Sequence, residues 1–352
     1  MLSYLLSALA CFVSFMFLGP RPCLGGGQAP PYEASIAVMG TVGKVQIWGL
    51  PEREARAVSE EIFTVWKDVD KTMSLYKPQS DLVALNNHAG QAPLTVSRDL
   101  IRILRLARIY EKRTGGIFDV RVGRLMELWG LGVVPRDGMP GRPEIIRTLR
   151  QAKRAQVVLY PAEGQVQIRG DGAKIDLGGI AKGYALDKSC DRLRARGVPK
   201  ALLDLGGQLM LWNPPPEGWI IGVREPGSDN IVGTLCIKKT CSISVSSQEE
   251  RFRFRGKMRI GHVLDMRTGR PVRRRGSLSV VAVSATQADV LSTAFLVAGE
   301  EGAKTLLKDF PDIQVLRVMP AARDGGENHS WRFWESRGME KLFSARKSSM
   351  NF

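Results

Sequence analysis

Histidine is scarce in this chain: 352 residues hold three, His88, His262 and His329. That scarcity excludes a histidine-rich metal cluster. Five cysteines, with no CxxC and no Cys/His ligand spacing, exclude a zinc finger or ribbon. Cys190, Cys236 and Cys241 lie inside the body of the chain and read as free thiols, with a Cys236–Cys241 pair as the alternative in an oxidising compartment. Both standard nucleotide fingerprints, the Walker A loop and GxGxxG, are missing. No basic run is interleaved with aromatics in the manner of an RNA-binding sheet. Acidic residues are outnumbered, 35 Asp and Glu against 51 Lys and Arg, for a formal charge of +16. With no nucleic-acid motif, that excess reads first as a solvated basic surface and next as attraction to an anionic membrane.

What is present has the balance of an ordinary globular protein, 44% hydrophobic and 24% charged. Leu2 to Leu18 is apolar and uncharged, and a Gly- and Pro-rich stretch to Pro31 cuts it off. Residues 1–30 therefore read as a signal peptide or N-terminal anchor, with Gly25 and Gly27 supplying the small residues of a cleavage site. Residues 31–320 read as one catalytic domain and 321–352 as a basic C-terminal extension. Within the domain, Ser35 to Trp48 alternates like a strand broken at Met39-Gly40-Thr41. Pro51 to Val69 and Ser97 to Arg113 have helical apolar spacing and N-terminal signals. Gln156 to Tyr160 and Gln165 to Arg169 predict a hairpin, and Lys174 to Leu177 a short strand feeding a helix that ends near Arg196. A run of short strands from Ala201 to Val283 precedes a helix over Ala288 to Ala298, continued by Gly302 to Lys308 after a break. Many hairpin neighbours and few βαβ units predict an α+β fold of mixed or antiparallel sheets with packed helices.

Three segments carry chemistry. In Asp176-Leu177-Gly178-Gly179-Ile180-Ala181-Lys182-Gly183, paired glycines let the backbone approach a ligand, and Lys182 adds positive charge at a helix start. A tight turn with a solvated lysine fits the same residues. In His262-Val263-Leu264-Asp265, closed by Arg267-Thr268-Gly269, an imidazole beside a carboxylate suits general base catalysis; a locally bonded loop histidine is the plain alternative. In Ala288-Asp289-Val290-Leu291-Ser292-Thr293, Asp289 and Thr293 lie four apart on one helix face and form a hard-oxygen pair suited to Mg²⁺. Alone, that pair also reads as a capped helix start with a buried threonine. Taken together, a phosphate cradle, a hard-metal pair and one acid–base group fit phosphoryl or nucleotidyl chemistry.

These segments, in this order, resemble the ApbE family, the FAD:protein FMN transferases once called thiamine-biosynthesis lipoproteins. The same series includes Met39-Gly40-Thr41, Met73 to Tyr76 with Ser80-Asp81-Leu82 and Asn86, Phe118-Asp119-Val120 with Leu128 to Gly132, and Leu205-Gly206-Gly207. The resemblance spans Ser35 to Leu316. It implies an ApbE-like fold, FAD as substrate, Mg²⁺ as cofactor, and transfer of FMN to a Ser or Thr of an acceptor protein with release of AMP. FAD hydrolysis to FMN and AMP, or FAD binding without catalysis, is the alternative. By matching positions, Met39, Tyr76, Ile117, Phe118, Asp119, Asp176 and Lys182 line the FAD site, with Tyr76 against the adenine. Asp289, Thr293 and the Gly179 carbonyl hold Mg²⁺. His262 stands at the base position, with Asp265 beside it. Two positions depart from the family pattern: Met266 replaces a proline, and Val245-Ser246-Ser247 stands for Thr-Ser-Gly. The implied partner is a membrane-associated electron-transfer flavoprotein, not nucleic acid, and the implied location is exported, in the periplasm or at the cell surface.

Overall fold

The computed structural model describes residues 15–17, 30–133, 136, 138–170, 172–249, 252–255, 258–321 and 331–346. His329, Cys11, Cys23 and the Gly25–Gly27 segment lie outside them.

Among the described residues there are seven α-helices, in chain order α1 Glu52–Met73, α2 Asp81–Asn87, α3 Arg98–Arg113, α4 Gly123–Leu128, α5 Arg142–Arg154, α6 Ala181–Ala195 and α7 Ala285–Leu306. Their starts follow local chemistry. Ser80 and Ser97 cap α2 and α3 by accepting hydrogen bonds from the Val83 and Leu100 amides. Pro51 precedes α1, whose first turn carries Glu52 and Glu54. The break expected before Gly302 is a kink at Gly299, with φ 77°, inside α7. There a left-handed conformation interrupts the helix.

Eight antiparallel strands form the main sheet. Their order is Trp331–Glu335, Gln314–Pro320, Ser277–Ala282, Cys241–Ser247, Gln208–Trp212, Lys200–Leu205, Thr41–Trp48 and Tyr32–Val38. Helices α1, α6 and α7 cover one face. A smaller sheet of Phe15–Phe17, Trp219–Arg224, Ile231–Ile237 and Phe343–Ala345 packs beside the other. The central strands read as near-continuous apolar runs because both faces are buried. Leu203 and Met210 point into the helix-side core with Trp66, Leu291 and Phe295. Their neighbours Leu202, Leu209 and Leu211 join Trp219, Ile221 and Phe343 on the other side. A third, smaller cluster joins α4 and α5 to Ile260, Leu264 and Met266. The α+β architecture expected from the sequence is the one observed.

Two readings differ from the structure. Lys174 to Leu177 is not a strand: Ile175 bonds through both backbone groups to the Asn86 side chain, at 2.7 and 2.9 Å, and the Asp176 amide donates to the Val120 carbonyl. Residues 331–346, read as extension, belong to the fold, because Trp331–Glu335 edges the main sheet and Met339 and Phe343 are buried in its second core. In the apolar N-terminal segment, Phe15–Phe17 pairs antiparallel with Trp219–Arg224. Cys190, Cys236 and Cys241 are free thiols.

Candidate active site

The site is assembled where α6 meets α7. Gly183, in the first turn of α6, lies so close to the start of α7 that a methyl group on it would sit 2.3 Å from the Ala285 carbonyl oxygen. Asp187, one turn on, receives the α7 N-terminus: its carboxylate accepts from the Ala285 and Thr286 amides at 2.7 and 2.9 Å and from the Ser284 and Thr286 hydroxyls at 2.8 and 2.6 Å. A carboxylate at a helix N-terminus is favoured by both the unpaired amides and the dipole. The close approach lets the Gly183 amide donate to Asp289 Oδ2 at 3.0 Å. We expect Gly183→Ala to force the two helices apart, costing ~1–3 kcal/mol of overpacking and displacing the Asp289 carboxylate that the Gly183 amide holds. Thermal unfolding checks this; an unchanged melting temperature would mean that the helices do not meet so closely.

Asp289 is 4% exposed, and its second oxygen faces Lys182 Nζ at 3.6 Å. That distance is long for a hydrogen bond, so Oδ1 keeps lone-pair capacity. Thr293 lies on the same face of α7. Its hydroxyl is held loosely, 3.5 Å from the Asp289 carbonyl and 3.4 Å from Ser246 Oγ. Ser292 is tied to strand Cys241–Ser247 through Ser246 and Ser244, at 2.8 and 3.3 Å. Gly179 closes the group: a Cβ there would lie 3.6 Å from Thr293 Oγ1 and 3.3 Å from the Phe118 ring. Carboxylate, hydroxyl and carbonyl oxygens are the donors a hard divalent cation takes. Among the described residues no three His, Cys, Asp or Glu side chains converge on one point, so a cation here relies on such neutral oxygens.

The cradle beside it is ordered by the same segment. Asp176 caps the turn by accepting from the Gly178 amide at 2.7 Å. Dense protein surroundings push its carboxyl above the usual range, and the Gly178 bond offsets this in part. Asp119 is buried and engaged by Arg121 through two nitrogens, while Arg121 also reaches Glu111 at 2.5 Å. Asp119 therefore shapes the Phe118–Val120 turn. Met39 has φ 52° and Gly40 φ 68°, the two left-handed residues of a tight hairpin turn between paired Val38 and Thr41. A methionine in that conformation is strained, and such strain collects at functional positions. Thr41 abuts the Leu205-Gly206-Gly207 turn, where a Cβ on Gly206 would meet its hydroxyl at 2.7 Å. Ile117 packs half-buried against the main core. Tyr76 follows α1 and is 72% exposed.

His262 is half-buried in the loop after strand Met258–Gly261. Gln248 holds that loop: its side-chain amide donates to the Val263 and Val272 carbonyls at 2.6 and 2.9 Å and accepts from the Val263 amide at 3.0 Å. Gln248 directly follows the strand bearing Ser246, which connects the loop to the Asp289–Thr293 face. Asp265 does other work. Arg267 grips its carboxylate at 2.9 and 2.8 Å, and the Asp265 carbonyl accepts from the Thr268 and Gly269 amides. Of its two expected roles, orienting the imidazole or shaping the turn, these bonds are those of the second. Met266 is buried in the third core, where an apolar side chain anchors the loop that a proline would have stiffened.

The sequence reading thus named Phe118, Gly179, Lys182, Asp289 and Thr293, which meet; it quoted Ser246 and Ser292 within motifs but gave them no positioning role, and it passed over Asp187 and Gln248. A lone acid on a helix or a serine in a strand carries no outward signal of such a role.

The ApbE family profile matches residues 39–317. The FAD:protein FMN transferase of Treponema pallidum is 31% identical over 323 residues, 87% of this chain and 89% of that protein. The FAD:protein FMN transferase of Klebsiella pneumoniae is 27% identical over 290 residues, 82% and 89% of the respective chains. A crystal structure of the ApbE protein from Thermotoga maritima superposes with a TM-score of 0.76 at 28% identity, covering 90% of this chain and all of that one. Between profile, relatives and shared architecture, this chain belongs to the ApbE family.

Proposed function

We propose that this chain is an FAD:protein FMN transferase. The reading rests on one observation above the others: Asp289, Thr293 and Gly179 converge beside Lys182 and Phe118 in a chain of the ApbE family. In the reaction, a Ser or Thr hydroxyl of an acceptor protein attacks the FMN phosphorus of FAD. A new P–O bond forms, the bond to the AMP oxygen breaks, and AMP departs with the charge. Lys182, in the first turn of α6, stabilises negative charge on the pyrophosphate, and the helix start beside it favours an anion. His262 takes the hydroxyl proton. The donor set fits Mg²⁺, which Asp289, Thr293 and the Gly179 carbonyl would hold and which would neutralise pyrophosphate charge.

Incubation of the full chain with FAD, Mg²⁺ and a Ser/Thr acceptor peptide tests the reading. A peptide heavier by one FMN residue, with AMP released in equal amount, supports it. AMP and free FMN without a modified peptide makes the chain an FAD pyrophosphatase, and retained FAD makes it a binding protein.

Tyr76 is assigned to the adenine. A ring so exposed contributes little to the core. We expect Tyr76→Ala to weaken FAD binding about fivefold or more, from ~1 kcal/mol of stacking, and to leave FMN binding unchanged. Titration with both ligands decides; equal losses would place Tyr76 away from the adenine.

The location proposed is exported, in the periplasm or at the cell surface, with a membrane-associated flavoprotein as acceptor. The apolar, uncharged Leu2–Leu18 segment supports export or N-terminal anchoring. Among the described residues no helix is long and apolar enough to cross a membrane.

A further inference from the structure

Several arginines on or just past helices are paired with acids: Arg56 with Glu52, Arg124 with Glu127, Arg194 with Asp191, and Arg196 with Glu61. On α5, Arg142, Arg147, Arg150 and Arg154 line one open groove of about 680 Å³ with Pro143, Ile146 and Gln151, and among the described residues no acidic side chain lines it; Glu144, on the helix flank, is paired with Arg136. The face is fixed by packing. Ile145 and Ala152 are buried against the cluster of Leu125, Trp129 and Leu264, which turns residues 143, 147, 150 and 154 to the opposite side. All four arginines are exposed. Apolar side chains accompany them: Ile146 is 38% exposed, and Met139, just ahead of the helix, 47%.

We propose that this face of α5 seats the protein on an anionic phospholipid surface. Guanidinium groups match phosphodiester oxygens in a fork geometry that lysine lacks. A cationic face with interspersed exposed apolar residues is the pattern of a helix lying at a headgroup–acyl boundary. Nucleic acid fits less well: no aromatic side chain lines the groove for base stacking, and Ile146 and Met139 would gain nothing from a phosphate backbone. The net charge of +16 favours the same approach at longer range. The contact is independent of the flavin chemistry and adds to any hold the N-terminal segment has.

Co-sedimentation of the full chain with phosphatidylglycerol–phosphatidylcholine vesicles, against phosphatidylcholine alone, tests it. The expected result is binding that requires the anionic lipid and weakens with salt. Replacing three arginines together (Arg147→Gln, Arg150→Gln, Arg154→Gln) should reduce it at least about tenfold, as loss of three juxtamembrane cations implies. FMN transfer to a soluble peptide, or an unaltered circular-dichroism melt, shows that the variant is folded. The leader is common to both proteins, so the difference reports α5. The proposal is overturned if the wild type ignores anionic vesicles or binds neutral ones equally, or if the triple variant binds as the wild type does. It is also overturned if the substitutions abolish binding to a single-stranded oligonucleotide while leaving vesicle binding intact.

Discussion

Asp289→Ala should lower FMN transfer at least ~10²-fold at limiting Mg²⁺, because it removes the one charged oxygen among the proposed ligands. The carboxylate is buried, its Oδ2 holds the Gly183 amide, and its Oδ1 stands 3.6 Å from Lys182. Alanine therefore does two things: it deletes a metal ligand, and it leaves a buried N–H without an acceptor, which costs about 1–3 kcal/mol. The two effects separate with Asp289→Asn. Asparagine keeps an acceptor for Gly183 but carries no charge, so it should restore stability and not transfer. Raising Mg²⁺ should recover part of the activity in the asparagine variant and none in the alanine one. If Asp289→Asn transfers FMN like the wild type at limiting Mg²⁺, this carboxylate is a structural acceptor for α6 and the metal assignment fails.

The same pair of helices shows how far the sequence could be read. The i, i+4 spacing of Asp289 and Thr293 puts both on one helix face from sequence alone, because helical geometry is local. What the spacing could not give was the partner. Gly183 approaches Ala285, far along the chain, only because its Cβ is absent, and nothing in GIAKG announces which backbone it will meet. Asp187 likewise reads as one more polar residue on a helix, yet it caps α7 from outside. Strands were legible where alternation or a buried run marked them, as in Gln156–Tyr160 and Gln208–Trp212. Lys174 to Leu177 misled because its backbone bonds go to the Asn86 side chain, and a side chain satisfying both groups of Ile175 leaves no trace in periodicity. The C-terminal strand Trp331–Glu335 was hidden by basic composition, although Trp331 and Phe333 pack on the second core. Propensity is a weak prior when tertiary pairing decides.

His262→Ala should lower the transfer rate by ~10²–10⁴-fold, the range for loss of a positioned general base, and leave FAD affinity within about twofold, since the phosphate-side groups of the site are elsewhere. The groups proposed for phosphate are Lys182 and the Gly178–Gly183 turn at the start of α6, whereas His262 belongs to the loop that Gln248 clamps. The two can therefore fail separately. Asp265 was the natural second candidate, but its carboxylate is gripped by Arg267 and its carbonyl closes the turn at Gly269. Asp265→Asn should accordingly act through the loop, with loss of transfer accompanied by a lower melting temperature, while His262→Ala should leave the melt unchanged. Gln248→Ala supplies the positioning control. It removes two donated bonds and one accepted bond around Val263, so it should reduce transfer while added imidazole rescues His262→Ala and not Gln248→Ala. Single-turnover transfer, FAD titration and thermal melts on the three variants settle the roles. If His262→Ala loses FAD binding and transfer in proportion, the imidazole is a binding group. In that event proton removal falls to water or to the acceptor protein itself, because the geometry of Asp265 leaves it no free oxygen to do so.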